Sequence, residues 1–121
     1  MTRKNLRRAA ASWIVFLVVF SLQPLRLRAI AGGKPLHPAL HVIVYGLAAL
    51  FPLLLSVNRM QEWVRALGVL FLGIGIEMGQ SLIYRHRTEW RDFEADVLGV
   101  LAALVLIRCA RIASLIRRAE P

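Results

Sequence analysis

Three pairs of polar residues sit where so apolar a chain has least use for them. Glu77 and Gln80 fall near the end of "VLFLGIGIEMGQSLIY", Asp92 and Asp96 follow "YRHRTEWR", and His41 and Tyr45 lie inside "HPALHVIVYGLAAL". Side chains three or four apart share a helix face, so each pair belongs to a stripe. One stripe holds Gly73, Glu77, Gln80 and Tyr84; a second holds Asp92, Asp96, Gly99 and Ala103; a third holds His37, His41 and Tyr45. Carboxylates, an imidazole, a phenol and an amide can together build a hydrogen-bond network or hold a polar head group. They can also ligate a hard divalent cation or move a proton.

The elements that must position these residues are apolar helices. Of the 121 residues 58% are hydrophobic, too many for the polar shell a soluble domain of this size needs. Four apolar segments run over about residues 9–25, 37–57, 63–84 and 92–115. Each has on the order of 17–24 residues, enough to cross a hydrocarbon layer as a helix. No alternation of polar and apolar residues suggests a strand, and helices satisfy their own backbone in lipid. With short connections, the expectation is an all-α integral membrane protein: a single domain over 1–121, folded as a compact antiparallel four-helix transmembrane bundle. Cys109 is the one cysteine, which excludes an intramolecular disulfide and a thiolate metal cluster.

The formal charge of +9 points to membrane flanks rather than nucleic acid, because the basic residues bracket apolar runs instead of interleaving with aromatics. With the N-terminus inside, ten Lys and Arg fall on the inner side and six on the outer, and "TRKNLRR" leads the inner set. Trp13 and Trp63 then lie near the inner interface and Trp90 near the outer one. The expected topology is multi-pass, N-in and C-in. A rival reading takes the first span as a leader cleaved after Ala29-Ile30-Ala31, although Arg26 and Arg28 sit in an unusual place for that.

Depth brings the stripes together. At ~1.5 Å per residue, His41, Gln80 and Asp96 lie roughly 6 Å below the outer helix ends, and Glu77 about 10 Å below. A charged residue in a span costs about 2.5–3.5 kcal/mol, so three carboxylates near one level imply compensation. Arg85, Arg87 and Arg91 above, and His41 beside, are the expected compensators, with Gly75, Gly79, Gly99 and Ala103 allowing close helix approach. Pro52 is expected to kink the second helix on its inner half.

In this order the motifs resemble the VanZ-like family of small multi-spanning membrane proteins, whose founding member confers teicoplanin resistance. The resemblance lies in His41 and Tyr45 on the second helix, E-x-x-Q (Glu77, Gln80) ending the third, and an arginine (Arg87). Then D-x-x-x-[N/D]-x-x-G (Asp92, Asp96, Gly99) opens the fourth. It covers about residues 37–103. His37 stands where that family often has Asp, and Asp96 where Asn is common, which changes the charge of the site. The resemblance implies a cell-envelope role in a bacterial cytoplasmic membrane.

Three readings of the residues follow. The first is a site for a lipid or lipid-linked envelope head group at the outer leaflet, built from His41, Tyr45, Glu77, Gln80, Arg85, Arg87, Asp92 and Asp96. Its arginines would hold the phosphate of a polyprenyl-phosphate or an envelope glycolipid. The second is an enzyme acting on a lipid phosphate, with Glu77, Asp92 and Asp96 holding Mg²⁺ or Mn²⁺ and His41 as general acid or base. The third is an interhelical network with no ligand, worth about 0.6 kcal/mol per hydrogen bond in membranes. For Arg85 and Arg87 the plainer role is interfacial salt bridging with Glu89, Asp92 and Glu94. Gly75 and Gly79 form a G-x-x-x-G that fits either a homodimer face or packing within one chain, and another membrane protein is a further partner class.

Overall fold

The computed structural model describes residues 2–22, 37–85 and 90–119, with the backbone alone at His37, Tyr84, Arg118 and Ala119. Arg87, the rest of the 86–89 rim and the Ala29–Ala31 segment lie outside the described residues. Among those described, the chain forms four helices and no strand: α1 (Arg3–Ser21), α2 (His37–Leu54), α3 (Arg59–Tyr84) and α4 (Trp90–Ala119).

Two helices start earlier than apolarity alone suggests. α1 takes in the basic stretch from Arg3, because Arg, Lys and Leu are good helix formers and the Thr2 side chain accepts from Asn5 N at 3.3 Å. α3 begins at Arg59, where Asn58 Oδ1 accepts from Gln61 N at 2.9 Å. Gln61 Oε1 in return accepts from Val57 N at 3.0 Å, a variant of the capping box. At its far end α3 stops on Arg85, whose φ of 51° and ψ of 39° are left-handed. α2 runs through Pro52 and ends two residues later, with Leu55 N and Ser56 N closing on Pro52 O and Leu53 O.

Contacts fix the topology. Ser21 meets Gln80, Tyr45 and Asp96 meet Gly73, and Glu62 meets Arg111. Consecutive helices are therefore antiparallel, and α2 runs parallel to α4. α2 packs most extensively on α4 and also touches α1 and α3. Gly46 and Gly99 make the closest approach: a Cβ on Gly46 would meet Gly99 O at 3.2 Å, and one on Gly99 would meet Gly46 N at 2.9 Å and overlap Val42 O. Gly75, expected to serve such an approach, faces open space, and Gly79 makes ordinary contact with Leu22. The glycines on the α2–α4 seam, rather than those of the G-x-x-x-G, bring backbones together.

The core is small: Leu17, Tyr45, Leu53, Val69, Val100 and several alanines. Large apolar side chains face outward instead, including Phe16, Phe71, Leu82, Leu98 and Val105. Arg59–Ile83 and Trp90–Arg117 are long and apolar enough to cross a membrane by length and composition, whereas the apolar part of α2, Pro38–Leu54, is shorter. Only 28% of the most apolar window of each long helix is buried, unlike a core helix of a soluble domain.

At the end away from His41, Glu62 is buried at 2% exposure. Arg111 Nη1 donates to its Oε1, and Arg108 Nε lies 3.6 Å from its Oε2. Arg111 Nη2 also donates to Ser56 O at 2.7 Å, while Arg65 Nη1 donates to Pro52 O at 2.7 Å and Ser56 Oγ at 3.1 Å. Two arginines thus add side-chain donors to carbonyls at and just beyond the end of α2, where helical hydrogen bonding stops.

Gly99→Ala is expected to destabilise the bundle by about 1–3 kcal/mol, since the added methyl overlaps backbone that cannot rotate away. Gly68→Ala, with nothing within 4 Å of its Cβ, is the control. Thermal unfolding in detergent compares them, and equal midpoints would remove the α2–α4 backbone contact as a determinant of stability.

Candidate functional site

The site lies where α2 and α4 begin and α3 ends. His41, in the first turns of α2, is held between two carboxylates of α4. Its Nδ1 shares a hydrogen bond with Asp96 Oδ1 at 2.7 Å, and its Nε2 lies 3.8 Å from Asp92 Oδ2. Asp92 and Asp96 are four apart and so face the same way, and the parallel course of α2 alongside α4 carries His41 to both. One turn further along α2, the Tyr45 ring stacks on the imidazole with centroids 5.9 Å apart and planes 12° apart.

Burial grades from mouth to floor. The His41 side chain is 20% exposed, Asp92 8% and Asp96 1%. Tyr45 is buried beneath them. Asp96 Oδ2 has no hydrogen-bond partner among the described residues and faces α3 at Gly73. A Cβ on Gly73 would come 3.1 Å from that oxygen and 2.9 Å from Tyr45 Cε1, so the missing side chain admits both groups. Glu77, one turn along α3, is half-buried and close enough to act electrostatically on His41.

Gln80 has a different task. Buried in the same layer, it donates through Nε2 to Ser21 O at 2.8 Å, satisfying a carbonyl in the last turn of α1. Arg85 is exposed just past the end of α3.

His41, Tyr45, Asp92 and Asp96 are therefore brought together as the stripes imply, Glu77 stands beside them, and Gln80 turns to α1. Among the described residues no three His, Cys, Asp or Glu side chains form a group arranged for a metal ion. The expected Glu77–Asp92–Asp96 ligand set does not form such a group, because the two aspartates are drawn to opposite nitrogens of one imidazole. The arrangement is suited instead to sharing a proton across Asp92, His41 and Asp96, and to pairing with hydroxyl or amine donors at its mouth. Sequence reasoning passed over Glu62, the other buried carboxylate cluster. Its signal was faint: one acid among "NRMQEWVR", which reads as a solvated first-turn charge.

His41→Ala leaves the Asp96 carboxylate buried with neither oxygen hydrogen-bonded and is expected to cost roughly 3–5 kcal/mol. Asp96→Asn retains an acceptor for the imidazole, removes the buried charge, and is expected to lose clearly less. Unfolding monitored by tryptophan fluorescence ranks the two, and a His41→Ala protein as stable as wild type would show that the pair does not hold the site together.

No family model, curated protein or solved structure matches the chain.

Proposed function

We propose that this chain is a multi-spanning protein of a bacterial cytoplasmic membrane that recognises the head group of a lipid, or of a lipid-linked envelope precursor, at the outer leaflet. The observation that carries the reading is His41 held between Asp92 and Asp96 at one end of helices whose outward faces are apolar. A contiguous apolar exterior is what hydrocarbon solvates and water does not. An ionisable cluster set into such helices is expensive to insert and is functional by default.

Charge supports the N-in, C-in orientation. The end formed by the start of α1, the α2–α3 connection and the close of α4 carries Arg3, Lys4, Arg7, Arg8, Arg59, Arg65, Arg108, Arg111 and Arg117. Of the described carboxylates, only Glu62 lies at that end, and Glu77, Asp92, Glu94 and Asp96 lie at the other. That is the cytoplasmic bias of Lys and Arg. The site then opens outward, with Arg85 at its rim and Arg87 following it in sequence. A head group that presents hydroxyls or an amine to the carboxylates and a phosphate to the arginines fits this division of charge. The VanZ-like resemblance of residues 37–103 agrees with an envelope lipid of the polyprenyl-phosphate or glycolipid kind.

A ligand-free network is the second reading, favoured by the Gln80 bond to Ser21 O, which ties α3 to α1. The two part company at Glu77 and Asp92, near the mouth. Native mass spectrometry of detergent-purified protein is the test. Wild type is expected to retain a phospholipid or prenyl-phosphate adduct, and Glu77→Gln and Asp92→Asn to lose it at an unchanged thermal midpoint. A wild type without adduct, paired with variants that simply unfold earlier, would leave the network reading in its place.

A further inference from the structure

The basic end of the bundle carries a second polar site that head-group recognition at His41 does not use. Two guanidinium groups, those of Arg108 and Arg111, pair with the buried carboxylate of Glu62, and that of Arg65 binds Ser56 Oγ nearby. Their hydrogen bonding differs. Arg65 and Arg111 are committed to carbonyls and the hydroxyl around the end of α2. Arg108 is held by Nε at Glu62 and by the face of Trp63, with Cζ 5.4 Å from the ring centroid. Its two terminal nitrogens make no hydrogen bond among the described residues, and the side chain is 44% exposed.

Arg108 is thereby held at Nε and on one face of its guanidinium, while its terminal fork is not engaged among the described residues. A guanidinium fork matches two oxygens of a phosphate, and orienting it beforehand removes much of the entropy lost on binding. Arg59 lies one turn before Trp63 on the same face of α3 and is exposed, which places a second cation on that face. From Trp63 and Arg108 the α3–α4 seam continues toward the middle of the bundle through Leu67, Phe71, Val105 and Leu101, all exposed. The order along this seam is cation, aromatic ring, then aliphatic surface, which is the order of a phospholipid from phosphate to acyl chain.

We propose that Arg108, Arg59 and Trp63 form a binding site for the phosphate of an anionic phospholipid in the inner leaflet, with its acyl chain along the α3–α4 seam. The net positive charge around Glu62 selects an anionic lipid over a zwitterionic one of the same chain length. The proposal rests on the membrane reading and is independent of the site at His41.

Native mass spectrometry with added phosphatidylglycerol and phosphatidylcholine of matched chains tests it, with inorganic phosphate as competitor. Wild type is expected to prefer phosphatidylglycerol by about tenfold, on the order of what surface cations gain from one uncompensated lipid charge. Arg108→Lys keeps a cation beside Glu62 but loses the fork, and is expected to bind both lipids several-fold more weakly at an unchanged thermal midpoint. Arg59→Gln, which does not touch Glu62, is expected to lose part of the preference. Equal binding of the two lipids by wild type, or phosphatidylglycerol binding untouched by Arg108→Lys, overturns the site. Displacement by inorganic phosphate as effective as by phosphatidylglycerol overturns the lipid as its occupant. Flotation with vesicles separates this failure from a wider one: a protein that stays with bilayers without anionic preference sinks this site alone, whereas one that does not float at all removes the membrane reading too.

Discussion

The contact between Gly46 and Gly99 sets the geometry of both ends of the bundle. Two helix backbones can come this close only where neither carries a side chain, and here a Cβ on either glycine would press on the opposing main chain. Because α2 and α4 run parallel from that point, equal rises along them stay side by side. Toward one end, His41 arrives at Asp96. Toward the other, the last carbonyls of α2 arrive at Arg111, whose long side chain spans the remaining gap. A shift of one helix along the other would uncouple both ends together.

Those ends handle buried charge in opposite ways. At the His41 end, carboxylates outnumber the imidazole they share, and the groups become more exposed toward the mouth. At the Glu62 end one carboxylate pairs with Arg111 and Arg108, and Arg111 together with Arg65 also holds the backbone where α2 stops. Enclosure on several sides is what makes a buried ion pair tolerable, because the desolvation of each charge is repaid only when its remaining donors or acceptors are met. Arg111 meets Glu62 Oε1 and, with Arg65, the carbonyls where α2 stops. Glu62 Oε2 has Arg108 Nε at 3.6 Å and no hydrogen bond among the described residues, and Arg108 is the member with hydrogen-bonding capacity left over.

Helical periodicity made much of this legible. His41 and Tyr45 fall four apart, as do Asp92 and Asp96, and each pair shares a face in the structure as the spacing requires. Counting rise along four apolar runs put Gln80 and Asp96 at one level, and both are buried there. What spacing could not supply was the identity of partners across helices. Gln80 belongs to the aspartate layer by depth, yet its amide is taken by a carbonyl of α1, a backbone group that no pattern of side chains announces. Glu62 is the converse case. It looks solvated in a polar stretch and is buried because the far half of α4 folds over it. The first helix was placed too late for a related reason: an apolar run marks where a helix could meet lipid, not where hydrogen bonding and capping start it.

Gly73 shows how packing and chemistry constrain one another. It belongs to the same face of α3 as Glu77 and Gln80, where any larger residue would also be compatible with a helix. Tyr45 Cε1 and Asp96 Oδ2 both come within the space a methyl would need, so the glycine fits the site and not the helix that carries it. Association of these helices draws on close packing and on polar pairs. Gly73 serves both, letting α3 close on the α2–α4 pair and leaving the aspartate buried against its backbone. α1 relies on hydrogen bonds accepted by main-chain carbonyls. It joins the others through Trp13 Nε1 to Val44 O at 3.4 Å, through Ser21 O to Gln80 and through the buried Leu17. The chemistry at His41 is thus built by three helices, and the fourth bears on it indirectly, through the amide it occupies.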